Sequence, residues 1–211
     1  MATAYCFDLD GTLTQQELLP LIASSVGLED EISVLTEATI NGILPFEKSF
    51  KLRVRLLRDA NIDWIHSALL EQVEFNADMI KFIASRPDQC FVVTGNLDVW
   101  VKPVLDRLGI QSFTSIAQMN GSRIEGIEHI LHKGDAVLGL RDRFDRIIAV
   151  GDGMNDVPMF EMADWRIAFG GAHSPNHLLV KLSDFVVNDG GALCRLLNTC
   201  LLYTSDAADD L

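Results

Sequence analysis

The chain has 211 residues, enough for one core domain with a modest insertion and a substantial hydrophobic interior. Its 30 acidic residues outnumber its 17 basic ones, which gives a formal net charge of −13. This acidity argues against a nucleic-acid or anionic-membrane partner, because a phosphate-rich surface would be repelled, whereas local cations can still bind a small phosphate.

The cysteines and the hydropathy of the chain bear on its location. Cys6, Cys90, Cys194 and Cys200 do not have the spacing of a zinc site. Cys6 and Cys90 lie inside apolar strand candidates, and buried free thiols are typical of a reducing compartment. We find no signal peptide and no apolar stretch long enough to cross a bilayer, so we expect a cytoplasmic protein.

The first predicted element is a buried strand over residues 4–7, followed by the sequence Asp-Leu-Asp-Gly-Thr at residues 8–12. In open α/β sheets such a turn lies where ligands bind. Asp8 and Asp10 can face one point, and their repulsion then requires a cation, a shared proton or a positive neighbour. Mg²⁺ is the simplest such cation for oxygen ligands. The alternative is an Asp-Gly turn with solvated carboxylates.

A helical pattern follows this turn. Apolar residues recur at helical spacing over 15–26, 29–40 and 46–57, with no convincing strand between them. We therefore expect residues 14–75 to form a helical cap domain inserted after the first strand. Residues 1–13 and 76–199 would then form the core domain.

The rest of the chain alternates strands with helices, which implies right-handed crossovers and a Rossmann-like parallel sheet with helices on both faces, an α/β fold. Two short strands are expected around a turn at Asn120-Gly121. The predicted strands are 90–93, 113–118, 123–130, 146–150, 166–169 and 184–187, and the predicted helices include 97–108, 136–140 and one starting at 192.

Three polar segments complete a pattern that begins with the Asp-Leu-Asp-Gly-Thr turn. Thr94-Gly95-Asn96 follows the strand at 90–93, Lys133 is an isolated cation, and Gly-Asp-Gly-Met-Asn-Asp at 151–156 follows the strand at 146–150. In this order they resemble the four motifs of the haloacid dehalogenase superfamily of hydrolases, namely DxDGT, a Thr or Ser after a strand, a Lys, and GDxxxD. The four motifs span most of the chain and are jointly specific.

The resemblance implies phosphoryl chemistry on a small phosphate monoester. Asp8 would be the nucleophile that forms an aspartyl-phosphate, and Asp10 would protonate the leaving alkoxide and later deprotonate water. Mg²⁺ would be held by Asp8, the backbone carbonyl of Asp10 and Asp152. Asp156 would orient water or Lys133.

The resemblance also implies the groups that hold the phosphate. Lys133, Thr94, Gly95 and Asn155 would surround the phosphoryl oxygens. By itself, a Lys before a Gly is also compatible with a solvated charge. The five histidines are interpreted as incidental, because two of them, His129 and His132, form no ligand set with a carboxylate.

Substrate recognition is expected from the cap. Glu17 and Arg53 resemble the residues with which the phosphoserine-phosphatase-like branch recognises an ammonium and a carboxylate, which favours O-phospho-L-serine. Alternatives are a phosphatase or phosphotransferase for another amine-bearing or sugar phosphate, and a non-catalytic phospho-ligand-binding protein; Glu17 also fits a solvated helix face. Asn96 stands where that branch usually has Gly, which puts the pocket size or the substrate in question.

The end of the chain differs in character. Residues 200–211 resemble a translated adapter from transposon-based sequencing libraries, and we interpret them as a non-native tail. We expect the natural sequence to differ beyond Thr199. The alternative is a genuine, frayed acidic terminus.

Overall fold

The computed structural model describes residues 2–202, with side chains up to residue 199. Its strands are Thr3–Phe7 (β1), Cys90–Leu97 (β2), Gln111–Asn120 (β3), Arg123–His129 (β4), Arg146–Gly151 (β5), Trp165–Phe169 (β6) and Phe185–Val187 (β7). They form one sheet in the order β4-β3-β2-β1-β5-β6-β7. The β3–β4 pair is antiparallel and the other pairs are parallel. β1 thus lies at the middle of the sheet, between the strands that precede the second and fourth motifs.

Helices cover both faces of this sheet. They are Leu18–Ser24 (α1), Glu29–Ile40 (α2), Phe46–Leu57 (α3), Ile62–Gln72 (α4), Ala77–Ala84 (α5), Asp98–Leu108 (α6), Lys133–Leu138 (α7), Val157–Met162 (α8), His177–Leu182 (α9) and Gly190–Leu202 (α10). Alternate residues of β1 belong to separate buried clusters: Tyr5 and Phe7 pack with α5, α6 and α10, whereas Ala4 and Cys6 pack with α7, α8 and α9. Burial on both faces explains why the strands are continuous apolar runs.

Helices α1 to α4 form the insertion between β1 and α5. They pack mainly on one another, and α4 also packs on α6 while α3 contacts β4. The two ends of the insertion run side by side, since Thr14 pairs with Phe75 in an isolated bridge. The backbone N–H of Gln15 donates to the carbonyl of Glu74 at 2.9 Å, which fixes this base. The insertion therefore leaves and rejoins the core at one narrow place.

The predicted α/β class, mainly parallel sheet and β3–β4 hairpin are confirmed. Two helices begin elsewhere than predicted. α1 begins only at Leu18, because residues 14 and 15 pair with the returning chain, and α7 begins at Lys133 rather than at 136. An early start of α7 places Lys133 at a helix terminus beside the sheet, rather than in a loop.

Other predictions concern the thiols, the membrane and the tail. Cys6 and Cys90 are buried free thiols, as expected. Within residues 2–202, no helix is both long and apolar enough to traverse a bilayer. The cytoplasmic location stays a prediction. The interpretation of residues 200–211 as a non-native tail also stays a prediction. Helix α10 continues to Leu202, and residues 203–211 lie outside the described residues.

Candidate active site

The site begins where β1 ends. The backbone N–H of Asp8 donates to the Val150 carbonyl of β5 at 2.9 Å, so Asp8 is the last residue held in the sheet. A wide turn, Leu9–Leu13, then folds back over the strand end and is closed by a hydrogen bond from the Thr14 N–H to the Leu9 carbonyl at 2.9 Å. Gly11 has a φ of 67° in this turn, a left-handed conformation that favours glycine. The turn brings Asp10 back beside Asp8 at the carboxyl edge of the sheet.

Lys133 forms a buried bridge between two carboxylates. Its Nζ lies 2.5 Å from Asp8 Oδ1 and 2.6 Å from Asp156 Oδ1, and all three side chains are at least 96% buried. Burial acts to lower the pKa of Lys133, but the charges of Asp156 and Asp8 outweigh it and raise that pKa above its ordinary value. The ammonium is therefore charged at neutral pH and holds one oxygen of Asp8 in place.

Asp156 also organises the turn after β5. Its Oδ2 accepts hydrogen bonds from the backbone N–H groups of Asp152 and Gly153, at 3.0 and 3.1 Å. Gly151 makes this close approach possible, because a Cβ there would overlap the Asp156 carboxylate. The Asp152 carboxylate accepts from the Thr12 hydroxyl at 2.9 Å. The first and fourth motifs are thereby joined side chain to side chain.

The carboxylates around Lys133 fit a divalent cation. Oxygens of Asp8, Asp152 and Asp156 lie within 4.8 Å of one another, and all three residues are buried. The pKa of Asp8 is raised well above its ordinary value by burial and then by the charge of Asp156, against the opposing effect of Lys133. Burial likewise raises the pKa of Asp152. Carboxylate oxygens are ligands that Mg²⁺ prefers, and these three carboxylates carry more negative charge than the Lys133 ammonium neutralises.

The carboxylate of Asp10 accepts hydrogen bonds from two uncharged donors. Its Oδ1 accepts from the Leu18 backbone N–H at 2.8 Å, and its Oδ2 accepts from the Asn96 amide at 2.6 Å. The Thr94 hydroxyl lies at 3.5 Å from the same Oδ2. Burial raises the pKa of Asp10 despite the hydrogen bonds from Leu18 and Asn96. Asp8 and Asp10 thus occupy different electrostatic environments although only one residue separates them.

An irregularity in the second half of β2 forms a small loop at residues 94–96, which reaches the site. The β2–β3 register shifts between Val93 and Leu97, and such bulges redirect side chains near functional sites. Ser115 of β3 stabilises the loop: its hydroxyl donates to the Gly95 carbonyl at 2.8 Å and accepts from the Leu131 N–H at 3.0 Å. One buried serine therefore links the segment containing Thr94 to the segment that precedes Lys133.

The insertion contributes Glu17 and Arg53. Arg53 is only 4% exposed; its Nη1 donates to the Thr36 hydroxyl at 3.1 Å, and its buried Nε has no partner among the residues that the structure describes. Burial lowers the pKa of Arg53 to about 10, although the charges of Glu17 and Asp10 oppose this. Burial raises the pKa of Glu17 to about 7, against the opposing effect of the nearby His173 ring.

These groups enclose a small cavity of about 40 Å³. That volume holds about three water molecules. The Phe46 ring of α3 closes one side by packing on the backbone of Gly95, where a Cβ would overlap it. The lining includes every sequence-predicted site residue except Lys133 and Asp156: Asp8, Asp10, Glu17, Arg53, Thr94, Gly95, Asp152 and Asn155, together with Asn96.

The interpretation of all five histidines as incidental is wrong for His173. Its Nε2 lies 2.9 Å from Asp152 Oδ2 and 3.6 Å from Glu17 Oε1. The adjacent carboxylates of Asp152 and Glu17 raise the pKa of His173 to about 11. His173 follows β6, so the rule that ligands meet at the carboxyl ends of parallel strands is the signal that could have found it.

We predict a pH-dependent contribution of His173 to stability in the absence of divalent cations. Its folded-state pKa of about 11 exceeds the ordinary 6.5, so its stabilisation is complete below pH 6.5 and is lost as the pH rises towards 11. In urea unfolding with EDTA, the destabilisation by His173→Asn should be largest near pH 6 and shrink towards pH 10. His177→Asn, at an exposed position of α9, is the control. A constant difference for His173→Asn across this range would contradict the ion pair.

Comparisons with known proteins agree with this geometry. The profile of the haloacid dehalogenase-like hydrolases matches residues 6–161. The phosphoserine phosphatase of Methanocaldococcus jannaschii is 31% identical over 175 residues, covering 77% of this chain and 83% of that one. The phosphoserine phosphatase of Halobacterium salinarum is 27% identical over 210 residues, covering 93% and 97%.

Solved structures agree as well. A substrate-bound phosphoserine phosphatase complex superimposes with a TM-score of 0.80 at 26% identity, covering 94% of this chain and 98% of that one. A phospho-aspartyl intermediate analogue of phosphoserine phosphatase has a TM-score of 0.78 at 27% identity, with the same coverage. The resemblance predicted from the four motifs is confirmed, and the chain belongs to the haloacid dehalogenase-like hydrolase family.

Proposed function

We propose that the chain is a Mg²⁺-dependent phosphatase that hydrolyses O-phospho-L-serine through an aspartyl-phosphate on Asp8. The observation that carries the proposal is the set of side chains that line the small cavity. It combines a buried guanidinium whose Nε has no partner among the described residues, a partly buried Glu17 and the Asp8–Asp10 pair. Relatives named phosphoserine phosphatase support the same substrate.

Asp8 is the proposed nucleophile. Its Oδ1 is bound by the Lys133 ammonium, which opposes the rise that burial and the charge of Asp156 give its pKa and fixes its orientation. The other oxygen is then the one that attacks phosphorus in line with the leaving group. A carboxylate held in one rotamer by a buried ion pair loses little entropy on reaching the attacking geometry.

Asp10 is the proposed acid and base. Its contacts are uncharged donors and burial raises its pKa, so it holds a proton more readily than a carboxylate in water does. It gives that proton to the leaving serine oxygen and later removes one from the hydrolytic water. Asp8, by contrast, contacts the Lys133 ammonium and would also contact Mg²⁺, and both cations favour its ionised form, so the two aspartates can serve opposite roles at one pH.

Asp8, Asp152 and the backbone carbonyl of Asp10 are the proposed ligands of Mg²⁺. The buried, negatively charged oxygen cluster fits that ion. Bound there, Mg²⁺ would neutralise charge on the transferred phosphoryl group. Asp156 is already engaged by Lys133 and two backbone N–H groups, so its proposed task is to orient them.

The remaining phosphoryl oxygens would be bound by residues of the second and fourth motifs. The Thr94 hydroxyl, the Gly95 backbone and the Asn155 amide line the cavity beside Asp8. Together with the Lys133 ammonium they supply donors on several sides of the phosphorus position. Thr94 and Gly95 belong to β2, Asn155 lies in the turn after β5, and Lys133 begins α7.

The helical cap, residues 14–75, is the proposed source of specificity. Arg53 can bind the substrate carboxylate through its free Nε, and Glu17 can pair with the ammonium. The positive charge of Arg53 and the negative charge of Glu17 are thus opposite to the carboxylate and ammonium charges of phosphoserine with which they would pair. Phe46 limits the room beside Gly95, which favours small leaving groups.

We predict that Asp8→Asn lowers phosphate release on the order of 10⁴-fold or more, because it removes the nucleophile while preserving the side-chain volume. Phosphate release from phosphoserine with Mg²⁺ is the measurement. The control is thermal melting of the variant, which checks that it is folded. Full activity in Asp8→Asn would overturn the assignment. A wild type that releases no phosphate from phosphoserine, phosphothreonine, phosphoethanolamine or sugar phosphates would favour a phospho-ligand-binding protein.

We predict that Arg53→Ala lowers kcat/KM for phosphoserine by about 10- to 100-fold more than for p-nitrophenyl phosphate, which has no carboxylate. Arg55→Ala is the matched control, because Arg55 is exposed on the same helix. Its effect on either substrate should be small. Equal losses on both substrates in Arg53→Ala would remove Arg53 from the carboxylate role.

A further inference from the structure

Asn96 lies at the end of β2 with its side chain in the cavity. It is 5% exposed, and its Nδ2 donates to Asp10 Oδ2 at 2.6 Å. A carboxylate can only accept hydrogen bonds, so the amide nitrogen, rather than its oxygen, faces Asp10. This is a shorter contact than the one from Thr94, whose hydroxyl is 3.5 Å from the same oxygen.

The position of Asn96 is itself fixed. Its backbone N–H donates to the Thr94 hydroxyl at 3.2 Å, and the next residue, Leu97, pairs with Ser115 of β3. The second donor to Asp10 is the Leu18 backbone at the start of α1. Asp10 is thus held from one side by the core sheet and from the other by the insertion. Two donors on different oxygens fix the plane of the carboxyl group.

We propose that Asn96 is a positioning residue, which orients Asp10 so that its proton reaches the oxygen of a poor leaving group. This inference rests on the proposed function. In the step concerned, Asp8 forms a bond to phosphorus, the bond between phosphorus and the substrate oxygen breaks, and its electron pair stays on that oxygen. The proton of Asp10 transfers to the same oxygen, which departs as a neutral alcohol.

The need for this proton depends on the leaving group. A serine alkoxide is strongly basic and leaves poorly unless it is protonated, whereas p-nitrophenolate is a stable anion that leaves without a proton. General acid catalysis contributes about 10²- to 10⁴-fold where it is needed, and a misplaced acid loses part of that. Loss of Asn96 should therefore affect the alkyl ester more than the aryl ester.

The test compares kcat/KM for phosphoserine and for p-nitrophenyl phosphate in wild type and Asn96→Ala, with Mg²⁺ present. This parameter includes the steps up to departure of the leaving group, whereas kcat can also report the later hydrolysis of the aspartyl-phosphate, common to both substrates. We expect the phosphoserine to p-nitrophenyl phosphate ratio to fall by about tenfold or more. Asn61→Ala, which removes the N-cap side chain of α4, is the control and should leave the ratio unchanged.

Two further measurements complete the test. Asn96→Gly gives the residue usual in the phosphoserine-phosphatase-like branch and is the second variant if Asn96→Ala does not fold; the same fall in the ratio is expected. An unchanged ratio in a folded, active variant would overturn the role of Asn96 alone. Absence of turnover by the wild type on both esters would overturn the proposed function and this inference with it.

Discussion

The buried contact of Lys133 with Asp8 and Asp156 is the constraint on which the rest of the site depends. A charge at this depth is tolerated only with partners, and the ammonium has two at 2.5 and 2.6 Å. One partner is the proposed nucleophile and the other holds the turn that carries Asp152. The lysine therefore links the first and fourth motifs, and its removal would leave two buried carboxylates without their shared cation.

The sheet explains why such distant residues meet. β1 lies between β2 and β5, so the segments after all three parallel strands end at the same edge. Asp8 directly follows β1, and Lys133, 125 residues further along the chain, begins α7 shortly after β4. The insertion then covers the edge, since α1 begins beside Asp10 and α3 carries Arg53 into the cavity. Fold and chemistry are thus joined at the strand ends.

Sequence reasoning predicted the fold class and the grouping of Asp8, Asp10, Lys133 and Asp152 because short motifs follow each strand. It did not predict the contacts of His173 or the donor role of Asn96. His173 belongs to a loop of ordinary composition, and its approach to Asp152 depends on how that loop packs on the Gly11 turn. Asn96 departs from a family pattern, but the sequence does not indicate what its side chain contacts. Its amide faces Asp10 in the segment where the β2–β3 register shifts. Such contacts arise from tertiary packing and leave no periodic pattern.

The central claim is that the buried oxygens around Lys133 hold a divalent cation beside the nucleophile. Anomalous diffraction from crystals soaked in manganese chloride tests it directly, because Mn²⁺ substitutes for Mg²⁺ at oxygen sites and can be located by its scattering. The account predicts one strong peak in contact with carboxylate oxygens of Asp8 and Asp152, reduced when Mg²⁺ is added in excess. A peak between Glu17 and His173 instead, or none at Asp8, would contradict it.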